Sequence, residues 1–262
     1  MKIRKYQIDA FAEKVFTGNP AVVCPVHEFP SEVLMQAIAS EHNLSETAFI
    51  VKKDQGYVIR WFTPSAEVEL CGHATLASAF VIFEMLGHQE ESILFHTLYR
   101  GDLSVTKKNG MYELDFPSTP AVKSDLPFDS IQGCFDVPII SHFDGKTDCL
   151  VVLSNEIDVK KAKPDMAKLA SLDRRGIMIT SESSQYDFVS RFFGPKVGVP
   201  EDPVTGSAHT LLIPFWSKRL NKINMIARQE SKRGGILYCT YLEDRVRIAG
   251  HAVKYSEGEI HL

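Results

Sequence analysis

The sequence is short of the residues that staple a protein, carry it across a membrane or keep it unfolded. Cysteine is scarce: Cys24, Cys71, Cys134, Cys149 and Cys239 are the only five among 262 residues. Their number is odd, their spacings are long and no C-x-x-C pair occurs, so neither a disulfide framework nor a thiolate zinc site is signalled. Reduced cysteines fit a cytoplasmic protein. No block of like charge exists. Lys+Arg 29 against Asp+Glu 33 leaves a net charge of −4, which argues against a nucleic-acid partner. No long hydrophobic run exists either. The longest, residues 74–86, is broken by Thr75, Ser78 and Glu84 and is too short to cross a bilayer, so no membrane partner is expected. The start, Met1-Lys2-Ile3-Arg4-Lys5-Tyr6, is too polar to read as a secretory leader. G-x-S-x-G, H-E-x-x-H and Walker loops are missing, and the nine histidines are scattered without metal-ligand spacing.

What is present is an ordinary globular composition, 44% hydrophobic and 24% charged, long enough for one to two domains. Strand patterns occur at residues 3–11, 21–24, 47–51 and 57–62. Ser31 is placed to cap a helix over 32–41. Gly72 opens a second helix that runs to about residue 86 and is apolar on most sides, so it belongs inside its domain. Residues 103–106 and 112–116 read as a hairpin turned by Lys108-Asn109-Gly110. The segment Pro117-Ser118-Thr119-Pro120 reads as a connection between domains.

Beyond that connection the order of elements repeats. Asp148-Cys149-Leu150-Val151-Val152 answers Asn19-Pro20-Ala21-Val22-Val23. A helix near 166–172 answers 32–41, and Gly176-Ile177-Met178-Ile179 answers Thr47-Ala48-Phe49-Ile50. Arg191-Phe192-Phe193-Gly194-Pro195 answers Arg60-Trp61-Phe62-Thr63-Pro64, and Gly206-Ser207-Ala208 answers Gly72-His73-Ala74. Gly235-Ile236-Leu237 answers Gly101-Asp102-Leu103. The offset drifts one way, from 129 to 134 residues, in loop-sized steps. Two homologous α/β halves are expected, with the functional site in the cleft between them.

The repeat singles out one place twice: a loop that ends in glycine where a buried helix begins. One is Glu69-Leu70-Cys71-Gly72-His73-Ala74-Thr75; the other runs from Glu201-Asp202-Pro203 to Gly206-Ser207-Ala208-His209. A helix start offers unpaired N–H groups and partial positive charge, and glycine permits close approach, so Gly72 and Gly206 are candidates to hold a substrate carboxylate. At such a start His73 is expected to be neutral. Asp202 can accept from a substrate amine or hydroxyl, and Ser207 can cap its helix or donate to a ligand. Glu46 stands at the mouth of a strand, and its counterpart in the second half is Arg175, so the carboxylate exists on one side only. A carboxylate held away from water suits proton abstraction and return. Cys71 is matched by Thr205, which excludes a symmetric two-thiol mechanism at this pair.

Four motifs in order, Phe16-Thr17-Gly18-Asn19-Pro20, Ser45-Glu46-Thr47-Ala48-Phe49, Cys71-Gly72-His73-Ala74-Thr75 and Glu201-Asp202-Pro203-Val204-Thr205-Gly206-Ser207-Ala208-His209, resemble the PhzF family, the phenazine-biosynthesis-like proteins. That family is similar in fold to diaminopimelate epimerase. The resemblance implies an α/β (α+β) chain of two pseudo-symmetric domains, each a curved mixed sheet around a central helix. The first would take residues 1–118 with 250–262 returning to it, and the second 119–249. It implies a cytoplasmic homodimer and an isomerase of a biosynthetic process that needs no cofactor and no metal. The substrate class it implies is a small carboxylate such as trans-2,3-dihydro-3-hydroxyanthranilate. Glu46 would be the acid/base, with His73, Asp202 and Ser207 catalytic beside it and Gly72, Gly206 and Asn19 binding substrate. Two other readings fit the residues: an amino-acid epimerase or racemase using Cys71, and a carboxylate-binding protein without catalysis.

Overall fold

A computed structural model describes all 262 residues, and they divide into two compact units. One comprises Met1–Asp115 with Ala249–Leu262, the other Phe116–Ile248.

The first unit contains β1 (Lys2–Ala10), β2 (Asn19–Val26), α1 (Glu32–His42), β3 (Glu46–Lys52), β4 (Tyr57–Phe62), β5 (Glu67–Val68), α2 (Gly72–Glu84), β6 (Ser92–His96), β7 (Asp102–Lys108) and β8 (Met111–Pro117). The second contains β9 (Val122–Lys123), α3 (Phe128–Gln132), β10 (Ile139–Asp144), β11 (Asp148–Leu153), α4 (Glu156–Lys161), α5 (Met166–Ser171), β12 (Gly176–Glu182), β13 (Phe188–Gly194), β14 (Val199–Asp202), α6 (Gly206–Leu220), β15 (Asn224–Gln229), β16 (Gly235–Leu242) and β17 (Arg245–Gly250). The last strand, β18 (Ala252–His261), pairs antiparallel with β1 in the first unit.

Local chemistry explains the elements that frame the site. Ser31 caps α1 by accepting from the Leu34 N–H. Asn109 and Gly110 both take positive φ, the requirement of a two-residue hairpin turn, and Lys108 lies opposite Met111 across it. Gly18 has φ +67, and a Cβ there would meet the Ala10 carbonyl oxygen at 2.1 Å, so the tight return from β1 into β2 accepts only glycine. Helix α2 is buried along almost its whole length. Its hydroxyls are hidden by bonding backward within the helix, Thr75 to the Cys71 carbonyl at 2.6 Å and Ser78 to Ala74 at 2.7 Å. No helix of the chain is long and apolar enough to cross a membrane.

The two units repeat one pairing scheme. Strands β2 and β3 run parallel, β3 and β4 antiparallel, β4 and β6 parallel, β6 and β7 antiparallel. In the second unit β11 and β12, β12 and β13, β13 and β15, and β15 and β16 follow the same four relations. Parallel neighbours need a crossover, supplied by α1 and then α2 in one unit and by α4 with α5 and then α6 in the other. Each unit has its own core: Val22, Met35, Phe49 and Phe62 belong to the first, and Val151, Leu169, Ile179 and Phe193 to the second.

Strand register corrects the sequence alignment in one detail that matters. Phe49 lies opposite Arg60, and Ile179 opposite Arg191. Ala21 lies beside Glu46, and Asp148 beside Gly176. With the two arginines equated, Glu46 corresponds to Gly176 rather than to Arg175, and Asp148 to Ala21 rather than to Asn19. Short motif matches miss such a shift because a loop can gain or lose a residue between strands without changing the pattern on either side. A side chain has no room at Gly176: a Cβ there would meet the Phe192 ring at 2.1 Å.

Candidate active site

The first unit assembles a buried cluster at the start of α2. Cys71 is the N-cap, in extended conformation and without a side-chain capping bond, and Gly72 is the first helical residue. His73 then points inward and is 5% exposed. Its Nε2 lies 3.0 Å from Glu46 Oε2 at the first residue of β3. Its Nδ1 is met by the Asn19 side-chain amide at 3.2 Å and by Cys71 Sγ at 3.5 Å. Strands β2 and β3 lie side by side, so Asn19 and Glu46 both start strands of one parallel pair and face the same helix end.

The groups of this cluster act on one another electrostatically. Burial works against a charged His73, but the charges of Cys71 and then Glu46 outweigh it and raise the imidazole well above the ordinary histidine range. Burial pushes the Cys71 thiol up to about 11, with the Glu46 charge adding to it. The expectation of a neutral His73 runs against this direction, because the charges of Cys71 and Glu46 beside the ring outweigh the partial charge of a helix end. Two of the facing atoms, His73 Nε2 and Glu46 Oε2, are shielded from solvent yet are not aligned for a hydrogen bond with each other. Glu46, Cys71 and His73 are also the group of residues whose donor atoms lie close enough to hold a metal ion.

The second unit puts hydroxyls where the first has Cys71 and His73. Thr205 is the N-cap of α6, Gly206 its first residue and Ser207 the counterpart of His73. Thr205 Oγ1 donates to Asp202 Oδ2 at 2.5 Å. Gln229, fully buried at the end of β15, ties this loop down. Its Oε1 accepts from the Thr205 N–H at 2.9 Å, and its Nε2 donates to the Asp202 carbonyl at 2.8 Å and to Thr205 Oγ1 at 3.1 Å. Ser207 does not cap the helix; its Oγ accepts from Arg175 Nη2 at 3.2 Å. Arg175 is held in turn by both carboxylate oxygens of Asp148 and lies over the Phe192 ring.

Within the first unit, then, the structure brings together Glu46, His73, Gly72 and Asn19. Asn19, expected to bind substrate, directs its amide at the His73 ring and so acts on it. Within the second unit it brings together Asp202, Ser207 and Gly206. Sequence reasoning missed Gln229 altogether, because a glutamine at a strand end carries no motif. It also left Cys71 without a partner, although Cys71-x-His73 places both at one helix start.

A family model described as phenazine biosynthesis-like protein (PhzC-PhzF) matches residues 8–258. An uncharacterized isomerase of Pseudomonas aeruginosa is 47% identical, with all of both chains covered. The crystal structure of a PhzF-family phenazine biosynthesis protein of Enterococcus faecalis has 45% identity, covers all of both chains and superposes with a TM-score of 0.97. A hydroxyproline epimerase of Agrobacterium vitis, 9% identical, covers 99% of this chain and 92% of its own with a TM-score of 0.66, a likeness of fold alone.

Proposed function

This chain belongs to the phenazine biosynthesis-like (PhzF) family of isomerases, and from that premise we propose that it moves a proton on a small carboxylate substrate, such as trans-2,3-dihydro-3-hydroxyanthranilate, with Glu46 as acid and base. The observation that carries this reading is the Glu46–His73 pair, a carboxylate 3.0 Å from a buried imidazole at a helix start.

In the proposed reaction Glu46 takes a proton from one substrate carbon and returns it to another. One carboxylate suffices if it lies within reach of both carbons and the substrate is held against rotation. His73, oriented by Asn19, faces the Glu46 carboxylate and holds it in place before the transfer. It can also donate toward charge that develops on the substrate. Gly72 and Gly206 supply helix-start N–H groups for the substrate carboxylate. Asp202 and Ser207 are assigned to its amine and hydroxyl groups. No cofactor enters this scheme. A homodimer in the cytoplasm belongs to the same proposal, and light scattering after size exclusion tests the dimer.

A racemase that uses Cys71 as its base is supported less well. A thiol pushed up to about 11 is a poor base at neutral pH, and its counterpart is the hydroxyl of Thr205. The test is proton exchange in D₂O followed by NMR, with the dihydro compound and a panel of small amino and hydroxy acids. Deuterium uptake or a shifted double bond is expected with the unaltered protein. Glu46→Gln should lower the rate by about 10²–10⁴-fold at unchanged melting temperature. Full turnover in Glu46→Gln, or its loss in Cys71→Ala instead, would sink the Glu46 mechanism.

A further inference from the structure

We propose that Glu46, Cys71 and His73 form a binding site for a soft divalent cation such as Zn²⁺, and that its occupancy switches off proton transfer by Glu46. The inhibitory half rests on the acid/base reading of Glu46; the binding half does not.

A carboxylate oxygen, a thiol sulfur and a ring nitrogen from these residues all lie within 4.8 Å of one another, on side chains that the fold largely hides from water. Glu46 Oε2 and His73 Nε2 are enclosed, lack a hydrogen-bond partner and yet stand 3.0 Å apart. Two ligands of a tetrahedral ion with bonds of about 2.0–2.1 Å stand about 3.3 Å apart, so this pair already has the spacing of one edge of such a site. Sulfur, imidazole and carboxylate together select Zn²⁺ or Co²⁺ over Mg²⁺ and Ca²⁺. Asn19 beside Nδ1 supplies the outer contact that fixes a ligating ring. With its amide turned so that the carbonyl faces Nδ1, it holds the tautomer whose Nε2 lone pair is directed at the ion.

The charges balance. Binding breaks the Cys71 S–H bond and forms S–Zn; the thiol proton and the imidazolium proton pass to solvent. A thiolate and a carboxylate then neutralise the two positive charges of the ion, the condition for keeping it in a buried site. Three protein ligands leave a fourth position for water or for a carboxylate from solution. While the ion is bound, the lone pair that would take the substrate proton is committed to metal.

Chelator-treated protein titrated with Co²⁺ should develop a thiolate-to-cobalt charge-transfer band that saturates at one equivalent. Zn²⁺ should displace it and Mg²⁺ should not, and a weakly buffered sample should acidify as the metal binds. Cys71→Ser should lose the band, Glu46→Gln should weaken binding, and Cys134→Ser, which alters a cysteine remote from the cluster in sequence, should leave both unchanged. X-ray absorption of the Co²⁺-loaded, unaltered protein should find one sulfur ligand, which keeps the test decisive if Cys71→Ser does not fold. No band, no sulfur ligand, or a band that survives in folded Cys71→Ser would overturn the site. In the exchange assay, saturating Zn²⁺ should lower the rate about 100-fold or more, and a chelator should restore it. Sulfur-ligated Co²⁺ together with full activity in metal-free Glu46→Gln would overturn the acid/base reading and leave the site standing.

Discussion

The start of α2 and the start of α6 are the same backbone feature built twice, and they differ in what they keep and what they change. Both keep an arginine–glutamate clamp in the strands that lead into the helix. Arg60 grips Glu67 at 2.6 and 2.7 Å, and Arg191 grips Glu201 at 2.7 and 3.0 Å. Both keep an uncapped helix start and a bond from the fourth helical residue back to the N-cap carbonyl, Thr75 to Cys71 and His209 to Thr205. What changes is the chemistry on that frame. Cys71, His73 and Glu46 are answered by Thr205, Ser207 and Gly176, while Asp202 stands where the first unit has Val68. The acid therefore sits at the mouth of β3 in one unit and at the end of β14 in the other. The two copies share the clamp and the backbone bond and diverge at the side chains around the helix start.

The sharpest way to break this comparison is to exchange the acids one at a time. Glu46→Gln should cut turnover by about 10²–10⁴-fold, whereas Asp202→Asn should act mainly on KM. Steady-state kinetics that showed the opposite split would reverse the division of labour between the units.

The clamps test what was kept. Arg60→Ala and Arg191→Ala each strand a mostly buried glutamate, and each should cost about 3–5 kcal/mol. Matching losses in urea melts would confirm equal mechanical roles, and a large loss in only one unit would deny them.

Acid separates the two helices. His209 is fully buried and burial lowers its pKa to about 4. Its folded value lies below its unfolded one, so its contribution is intact above about pH 6.5 and is lost as pH falls toward 4, by up to about 3 kcal/mol. His73 has the opposite sign: its raised pKa adds stability at low pH that disappears as pH rises through the folded value. His209→Thr, which copies Thr75 into α6, should flatten the acid limb of a melting-temperature profile between pH 6.5 and 4. An unchanged limb would place the acid sensitivity elsewhere.

The smallest effect concerns Gln229, which has no equivalent tie in the first unit. Gln229→Leu leaves the Thr205 N–H without its acceptor and should cost about 1–3 kcal/mol. Hydrogen exchange should then rise at residues 202–206 before it rises in β15; uniform exchange would show that the loop does not depend on this side chain.

Much of this was legible in residue order. The repeat, the cap at Ser31, the Asn109-Gly110 turn and the buried helix at Gly72 are local patterns, and local patterns survive reading in one dimension. Helices α3 and α4 were not legible, since five or six residues are too few to show a helical period, and α5, equally short, was read only as the counterpart of α1 in the repeat. Nor was the pairing of β18 with β1, which joins residues some 250 positions apart along the chain and follows from the family resemblance rather than from any pattern in β18 itself.

The sequence by itself determined the duplicated order of elements, the glycine helix starts and the residue types at them, because these depend on neighbours within a turn or a strand. Tertiary structure decided the rest. It set the register that equates Glu46 with Gly176, the approach of Glu46 to His73, the Asn19 contact that orients its ring and the Gln229 tie behind Thr205. Each depends on distance, burial and the local field between groups far apart in the chain, and charge in particular follows the environment a side chain reaches rather than the residues beside it.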